Sequence, residues 1–196
     1  MKENALLAVT CALTLLLGFE QPSKAQTKQE QSMSEQDKNK PHIVALHPND
    51  SESFEWDGGK IRFLASSEET GGRWAVLEVT ERPGYKTPVH RHNLTEEEFY
   101  VMEGVLTIMV NGKTSKYPAG SYVLIPRGTP HAHGNLGKTP SKHLLMVMPG
   151  GFERFFRDRI ELVKTARPGS PDFTKKLAEA RRTVDSEVLS DWDVQE

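Results

Sequence analysis

The chain has 196 residues, 36% of them hydrophobic, and a formal net charge of −2. A chain of this length and composition can bury one sizeable core, so we expect one domain, or one domain with an appendage. The near-neutral charge argues against nucleic acid or an acidic membrane surface as a partner.

The first 25 residues have the layout of a secretory signal peptide. Lys2 precedes an apolar run over residues 5–19, and Ser23 and Ala25 are small residues just before a cut after Ala25. We therefore expect a periplasmic or secreted protein. The apolar run is short for a bilayer, which predicts no stable membrane span after cleavage. An uncleaved N-terminal anchor is the alternative.

The segment after the predicted cut is polar. Residues 26–40 contain one apolar side chain, Met33, and are predicted to be a disordered linker. The one cysteine, Cys11, lies in the segment to be removed. Any metal site in the mature chain must therefore use nitrogen and oxygen ligands.

Residues 41–149 have the pattern of short strands separated by turns. Candidate strands cover residues 61–65, 74–80, 105–110, 121–125 and 144–148. Asn111 and Gly112 predict a tight hairpin after the third of these, because both turn positions need a positive φ. Many short strands without helices between them predict an all-β sandwich or barrel.

Residues 150–196 change to a helical pattern. Apolar side chains recur at helical spacing at Phe152, Phe155, Phe156, Ile160 and Val163, and again at Phe173, Leu177 and Ala180. Ser170 and Pro171 predict the N-cap and first residue of the second helix. We expect two helices packed against the outside of the barrel, with the aromatic residues serving packing rather than ligand binding.

The spacing of the histidines indicates a possible metal site. Two of the seven histidine positions begin a His-x-His pair, His90 with His92 and His131 with His133. On a strand, such residues face the same way about 6.6 Å apart, so two imidazoles can converge on one ion. The remaining histidines, at positions 42, 47 and 143, have no such neighbours and are assigned no role.

Two longer motifs surround these pairs. They read Gly84-x5-His90-x-His92-x4-Glu97-x6-Gly104 and Gly120-x5-Pro126-x-Gly128-x2-His131-x3-Asn135, with 15 residues between them. Both motifs resemble the signature motifs of the cupin superfamily at all ten fixed positions, and the spacing resembles that of microbial single-domain cupins. The resemblance implies an antiparallel jelly-roll β-barrel.

The resemblance also implies a metal site formed by His90, His92, Glu97 and His131. Strand alternation agrees with Glu97, because an inward Glu97 leaves Glu96 and Glu98 facing solvent. The cofactor would be one divalent transition metal: iron, manganese, nickel, cobalt, copper or zinc. A cupin that has lost its metal is the alternative.

His133 lies two residues beyond His131 and is predicted to point inward as well. Three roles stay open for it: a partner behind the metal ligands, a proton shuttle, or no role. Asn135 is expected to hydrogen-bond a neighbouring loop rather than react.

The closest functional resemblance is to quercetin-2,3-dioxygenase-like cupins, supported by the Pro149–Phe156 segment, PGGFERFF. It implies oxidative cleavage of a small phenolic or enolic substrate by dioxygen, with Glu97 as a ligand that also accepts the substrate proton. The alternatives are a metal-dependent isomerase or lyase of a sugar or small acid, and a non-catalytic periplasmic ligand-binding cupin. A homodimer is expected by the same resemblance.

Overall fold

The computed structural model describes residues 40–48 and 50–194. The predicted signal peptide, and the predicted linker except for its last residue, lie outside these ranges. In the part of the chain that is described, no helix is both long and apolar enough to cross a membrane.

The described residues form eleven strands and three helices. The strands are β1 (Ser53–Trp56), β2 (Gly59–Ala65), β3 (Ala75–Glu81), β4 (Val89–Arg91), β5 (Glu96–Glu103), β6 (Val105–Val110), β7 (Lys113–Pro118), β8 (Tyr122–Ile125), β9 (His131–Gly134), β10 (Ser141–Met148) and β11 (Glu187–Ser190). The helices are α1 (Ser67–Thr70), α2 (Glu153–Thr165) and α3 (Pro171–Arg182).

The strands form two antiparallel sheets around one core. One sheet has the order β1-β2-β3-β10-β5-β8 and the other the order β11-β4-β9-β6-β7. Leu77, Phe99 and Leu145 of the first sheet belong to the same buried cluster as Leu106 and Ile108 of the second. Among the described strands, no ladder joins the two sheets into a closed cylinder. The predicted antiparallel jelly-roll fold is confirmed, in this open form.

Strand alternation determines which side chains enter the core. In β3, β5 and β10, every second residue is buried, and Leu145 lies opposite both Leu77 and Phe99 in the sheet register. Successive side chains of a strand point to opposite faces, so one face of each strand supplies the barrel interior. The same alternation carries polar residues inward wherever they occupy the core-facing positions.

The predicted turns are present. Asn111 and Gly112 have φ values of 49° and 81° between β6 and β7, which confirms the predicted hairpin. Gly104 has a φ of 72°, and a Cβ atom there would lie 2.7 Å from the carbonyl oxygen of Pro140. Glycine is therefore required at position 104 by both conformation and space.

The two predicted C-terminal helices are confirmed. The Ser170 hydroxyl accepts a hydrogen bond from the Phe173 amide at 3.2 Å, and Pro171 is the first residue of α3. The rings of Phe156 and Trp56 pack edge to face with centroids 5.4 Å apart, which joins α2 to β1. Leu162, rather than the predicted Val163, is the buried residue in the last turns of α2.

The five candidate strands correspond to β2, β3, β6, β8 and β10, and β1, α1 and β11 are among the elements that were not predicted. The sequence of β11, EVLS, does not alternate apolar and polar side chains, so it carries no strand signal. All four of its residues are exposed. This strand nevertheless pairs with β4, where Val188 lies opposite His90. The C-terminal segment thus extends the sheet that carries the histidines of the first motif.

Candidate metal centre

The four predicted ligand residues meet inside the barrel. His90 on β4 lies opposite His131 on β9, Glu97 lies on β5, and His92 directly follows β4. One ligand atom from each residue lies within 4.8 Å of all the others, and all four residues are buried. The fold therefore brings the two motifs to a single point.

Glu97 is the inward carboxylate of the three consecutive glutamates. Its side chain is 2% exposed, whereas Glu96 and Glu98 on the other face keep contact with solvent. The Oε2 atom of Glu97 lies 3.0 Å from His131 Nε2, and its Oε1 atom lies 3.4 Å from His92 Nε2. The carboxylate thus lies between two imidazoles.

Backbone carbonyl groups orient all three histidines. The Nδ1 atoms of His90 and His131 lie 2.9 Å from the carbonyl oxygens of Pro88 and Thr129, respectively. His92 Nδ1 hydrogen-bonds the carbonyl oxygen of Asp185. Because each Nδ1–H donates to a carbonyl, each Nε2 lone pair is left to bind a metal, as is common in metal sites.

The charge states of His90 and Glu97 favour the binding of a cation. Burial and the neighbouring His131 lower the pKa of His90 to about 3, so His90 is a neutral ligand at physiological pH. Burial alone would raise the pKa of Glu97, but the electrostatic influence of the adjacent His92 and His131 imidazoles holds that pKa well below its usual range. Glu97 is therefore an ionised carboxylate beside a neutral imidazole.

The donor set fits a divalent transition metal. His92 Nε2 is buried and has no hydrogen-bond partner among the described residues, although it points into the centre. A buried polar atom without a partner costs free energy, and a metal ion would remove that cost. Three imidazole nitrogens and one carboxylate, without sulfur, suit iron, manganese, cobalt, nickel, copper or zinc.

A second group of buried polar residues lies behind the centre. His133 is buried, and its Nδ1 atom lies 3.0 Å from Glu81 Oε1. The ring of His143 lies 6.1 Å from that of His133, and in the part of the chain that the structure describes neither His143 nitrogen has a hydrogen-bond partner. Glu81 and His143 are both fully buried. His133 is thus held by Glu81 in the barrel interior, near His90 but outside the ligand cluster.

Three of the residues around the centre were missed by the sequence interpretation. Glu81 and His143 occupy inward positions of β3 and β10, so the alternation of those strands could have identified them. Asp185 contributes a backbone carbonyl to His92 and a carboxylate that accepts from the Leu94 amide. A backbone contact from a distant segment leaves no pattern in the sequence.

Hydrogen bonds also explain three further motif residues. Gly84 donates its amide to the Asn135 carbonyl at 2.8 Å, and Gly128 donates to the His92 carbonyl at 2.6 Å. The Asn135 side chain donates to the carbonyl oxygens of Glu81 and Thr139, which confirms the predicted structural role. These contacts tie the first motif to the second.

A small cavity adjoins the centre. Its volume is about 30 Å³, and its walls include His90, Glu97 and His133 from the barrel. Helices α2 and α3, with the N-cap residue Phe152, supply another wall, which includes Phe155 and Arg181. A cavity of this size holds about two water molecules. The centre is therefore accessible to small groups.

Comparison with known proteins agrees with the two motifs. The family model described as "Cupin domain" matches residues 77–148. The chain is also 30% identical over 117 residues to the uncharacterized protein MJ1618 of Methanocaldococcus jannaschii, covering 59% of this chain and 85% of that protein. The chain belongs to the cupin family.

Two further similar proteins differ in how much of their own length the chain covers. This cupin is 29% identical over 96 residues to quercetin 2,3-dioxygenase of Bacillus subtilis, covering 49% of this chain but only 28% of that protein. The structure of the polyketide cyclase RemF from Streptomyces resistomycificus has a TM-score of 0.47 and 22% identity, covering 69% of this chain and 98% of that one. The chain thus spans about a quarter of the length of the dioxygenase.

Metal content tests the ligand assignment. We expect the purified cupin to bind one divalent ion per chain, and Glu97→Gln or His131→Ala to lower the metal affinity by at least about tenfold, because even a lost ligand-orienting hydrogen bond has an effect of that size. Metal titration followed by mass spectrometry measures both quantities. Glu96→Gln is the matched control and should bind like the wild type. Equal affinity of the Glu96 and Glu97 variants would contradict the assignment.

The buried His143 predicts a specific pH dependence of stability. Burial lowers its pKa from 6.5 to about 4, so below pH 6.5 the unfolded chain takes up a proton that the folded chain excludes. This cost should lower the free energy of unfolding by about 2 kcal/mol on going from neutral pH to about pH 5.

His143→Leu should lose about 2 kcal/mol less than the wild type over this pH range, and the buried His90, whose pKa is also lowered, accounts for part of the loss that remains. Urea unfolding at neutral pH and at about pH 5 measures the difference, with the exposed His42→Leu as the control that keeps the wild-type slope. Identical pH slopes for the wild type and His143→Leu would refute the prediction.

Proposed function

We propose that this cupin is a metal-dependent dioxygenase acting on a small phenolic or enolic substrate. The observation that carries the proposal is the buried cluster of His90, His92, Glu97 and His131, with all three histidines oriented through Nδ1. Four protein ligands leave one or two positions of an octahedral ion open, as catalysis requires. Similarity to the Bacillus subtilis quercetin 2,3-dioxygenase supports the reaction type.

The residues of the centre have distinct proposed roles. When bound, a divalent transition metal would supply Lewis acidity toward the substrate oxygen and redox chemistry with dioxygen. Glu97 lines the cavity and accepts the proton of the substrate hydroxyl on a carboxylate oxygen. Glu81 holds the His133 ring so that its other nitrogen is available to hydrogen-bond the substrate. The phenylalanines of α2 keep water away from the reacting atoms.

The cavity favours a small substrate. Its volume of about 30 Å³ is far less than a three-ring flavonol occupies. The walls formed by Phe152, Phe155 and Phe156 are apolar and suit a flat, unsaturated molecule. We therefore propose catechols and enolisable diketones, rather than quercetin itself, as the substrate class.

Oxygen consumption tests the proposal. We expect the iron(II)- or manganese-loaded cupin to consume oxygen with catechol or acetylacetone and to consume it more slowly with quercetin, because the small compounds require far less widening of the cavity than quercetin does. An oxygen electrode measures the rate. Glu97→Gln should lower the rate by at least about a hundredfold, since it removes both a ligand and the proton acceptor, while Glu96→Gln should leave it unchanged.

Other outcomes would identify the alternative functions. Conversion of a sugar or small acid under anaerobic conditions, without oxygen consumption, would favour an isomerase or lyase. Saturable binding of the same compounds without any turnover would favour a binding module. Either result would overturn the dioxygenase proposal.

We further propose that the chain is exported and forms a homodimer. Export rests on the signal-peptide pattern of residues 1–25. Dimerisation is supported by the exposed apolar side chains of Tyr100, Tyr122 and Leu124 on the outer face of β5 and the edge strand β8. A mature N-terminus at Gln26, read by mass spectrometry, and a dimeric mass in light scattering are the expected results. An intact N-terminus or a monomeric mass would contradict the respective proposal.

A further inference from the structure

Two arginines of the C-terminal helices line the cavity beside the metal centre. Arg159 on α2 and Arg181 on α3 form part of the same walls as His90 and Glu97. Neither arginine belongs to the cupin motifs. The cavity therefore has guanidinium groups on its helical side as well as metal ligands on its barrel side.

The charge of Arg159 is neutralised within the protein. Its Nε atom lies 2.8 Å from Asp57 Oδ1, and its Nη2 atom lies 2.6 Å from Asp57 Oδ2. The guanidinium also lies over the Trp56 ring, 4.3 Å from the centroid, and donates to the Tyr85 hydroxyl at 3.3 Å. Arg159 is thus a structural residue with its donors occupied.

The charge of Arg181 is not neutralised in this way. No carboxylate of the described residues forms an ion pair with Arg181, although its side chain is half-buried. Burial and the neighbouring positive charge of Arg159 lower the pKa of Arg181. A half-buried cation beside a second cation is unfavourable unless an anion compensates it.

The metal centre adds to this positive charge. A divalent ion with Glu97 as its one carboxylate ligand keeps a net charge of about +1 on the barrel side of the cavity. Asp57, the carboxylate that acts on both guanidinium groups, is already paired with Arg159. Both the barrel side and the helical side of the cavity therefore attract negative charge.

We infer that Arg181 binds a carboxylate group of the substrate, so that the natural substrate is a small enolic or phenolic acid rather than a neutral compound. This inference rests on the proposed function, since it assumes that the other end of the substrate reaches the metal. Arg181 is then a specificity-determining residue. Its planar guanidinium can hold a carboxylate through two parallel hydrogen bonds.

Hydroxamate probes test this inference by binding alone. Acetohydroxamate carries a metal-binding head without a tail. The monohydroxamates of malonate and succinate add a carboxylate at two distances, and their terminal amides match them in size without the charge. Titration into the cobalt(II)-loaded cupin, followed by the visible absorption of the ion, gives each dissociation constant.

We expect the wild type to bind at least one of the carboxylate probes about tenfold or more tightly than its amide, because a charge-assisted hydrogen bond has about that effect. Arg181→Gln should abolish the preference, and Arg181→Lys should retain part of it. Arg182→Gln, the adjacent exposed arginine of α3, makes the same charge change and should keep the wild-type preference.

The outcomes separate this inference from the proposed function. If acetohydroxamate binds but the wild type does not distinguish acids from amides, or if Arg181→Gln keeps the preference, the role of Arg181 is refuted and the open metal position stands. If acetohydroxamate leaves the cobalt spectrum unchanged, the open position is refuted and the inference falls with it. An equal loss of preference in Arg182→Gln would show a general charge effect and would also refute it.

Discussion

The structure depends on placing an ionised carboxylate inside an apolar barrel. Glu97 follows the same alternation that buries Phe99 and Val101, and ionisation there would be prohibitively costly without compensation. Compensation comes from imidazoles carried by β4 and β9 of the opposite sheet. The pairing registers of β4, β5 and β9 are therefore fixed, because a slip by one residue would turn the histidines or the carboxylate outward. The metal centre and the barrel core therefore require the same strand registers.

The C-terminal segment is part of the centre rather than an appendage to it. It closes the cavity through α2 and α3, orients His92 through the Asp185 carbonyl, and adds β11 beside the strand of His90. The contact between the Phe152 and His92 rings, with centroids 4.9 Å apart, joins the start of α2 to the same ligand. Specificity can therefore change in this segment while the ligands on the barrel strands stay the same.

Much of the fold and the four ligand residues could be predicted from the sequence, because each has a local pattern. The hairpin at Asn111 depends on two adjacent residues, and the cap at Ser170 on three or four. Arg181 and Asp185 could not be predicted, because their importance comes only from contacts with segments about a hundred residues earlier. His143 lay within reach of the alternation rule, but a single histidine without neighbours in sequence carries no indication of its surroundings.

The pairing of β11 with β4 has a thermodynamic consequence. If docking of the C-terminal strand orients His92 and covers the edge beside His90, then the docked and released forms of this segment must bind metal with different affinities. Linkage is reciprocal, so the metal must stabilise docking by the same free energy by which docking strengthens metal binding. Without bound metal, the C-terminal segment would therefore be released first near Asp185, between α3 and β11.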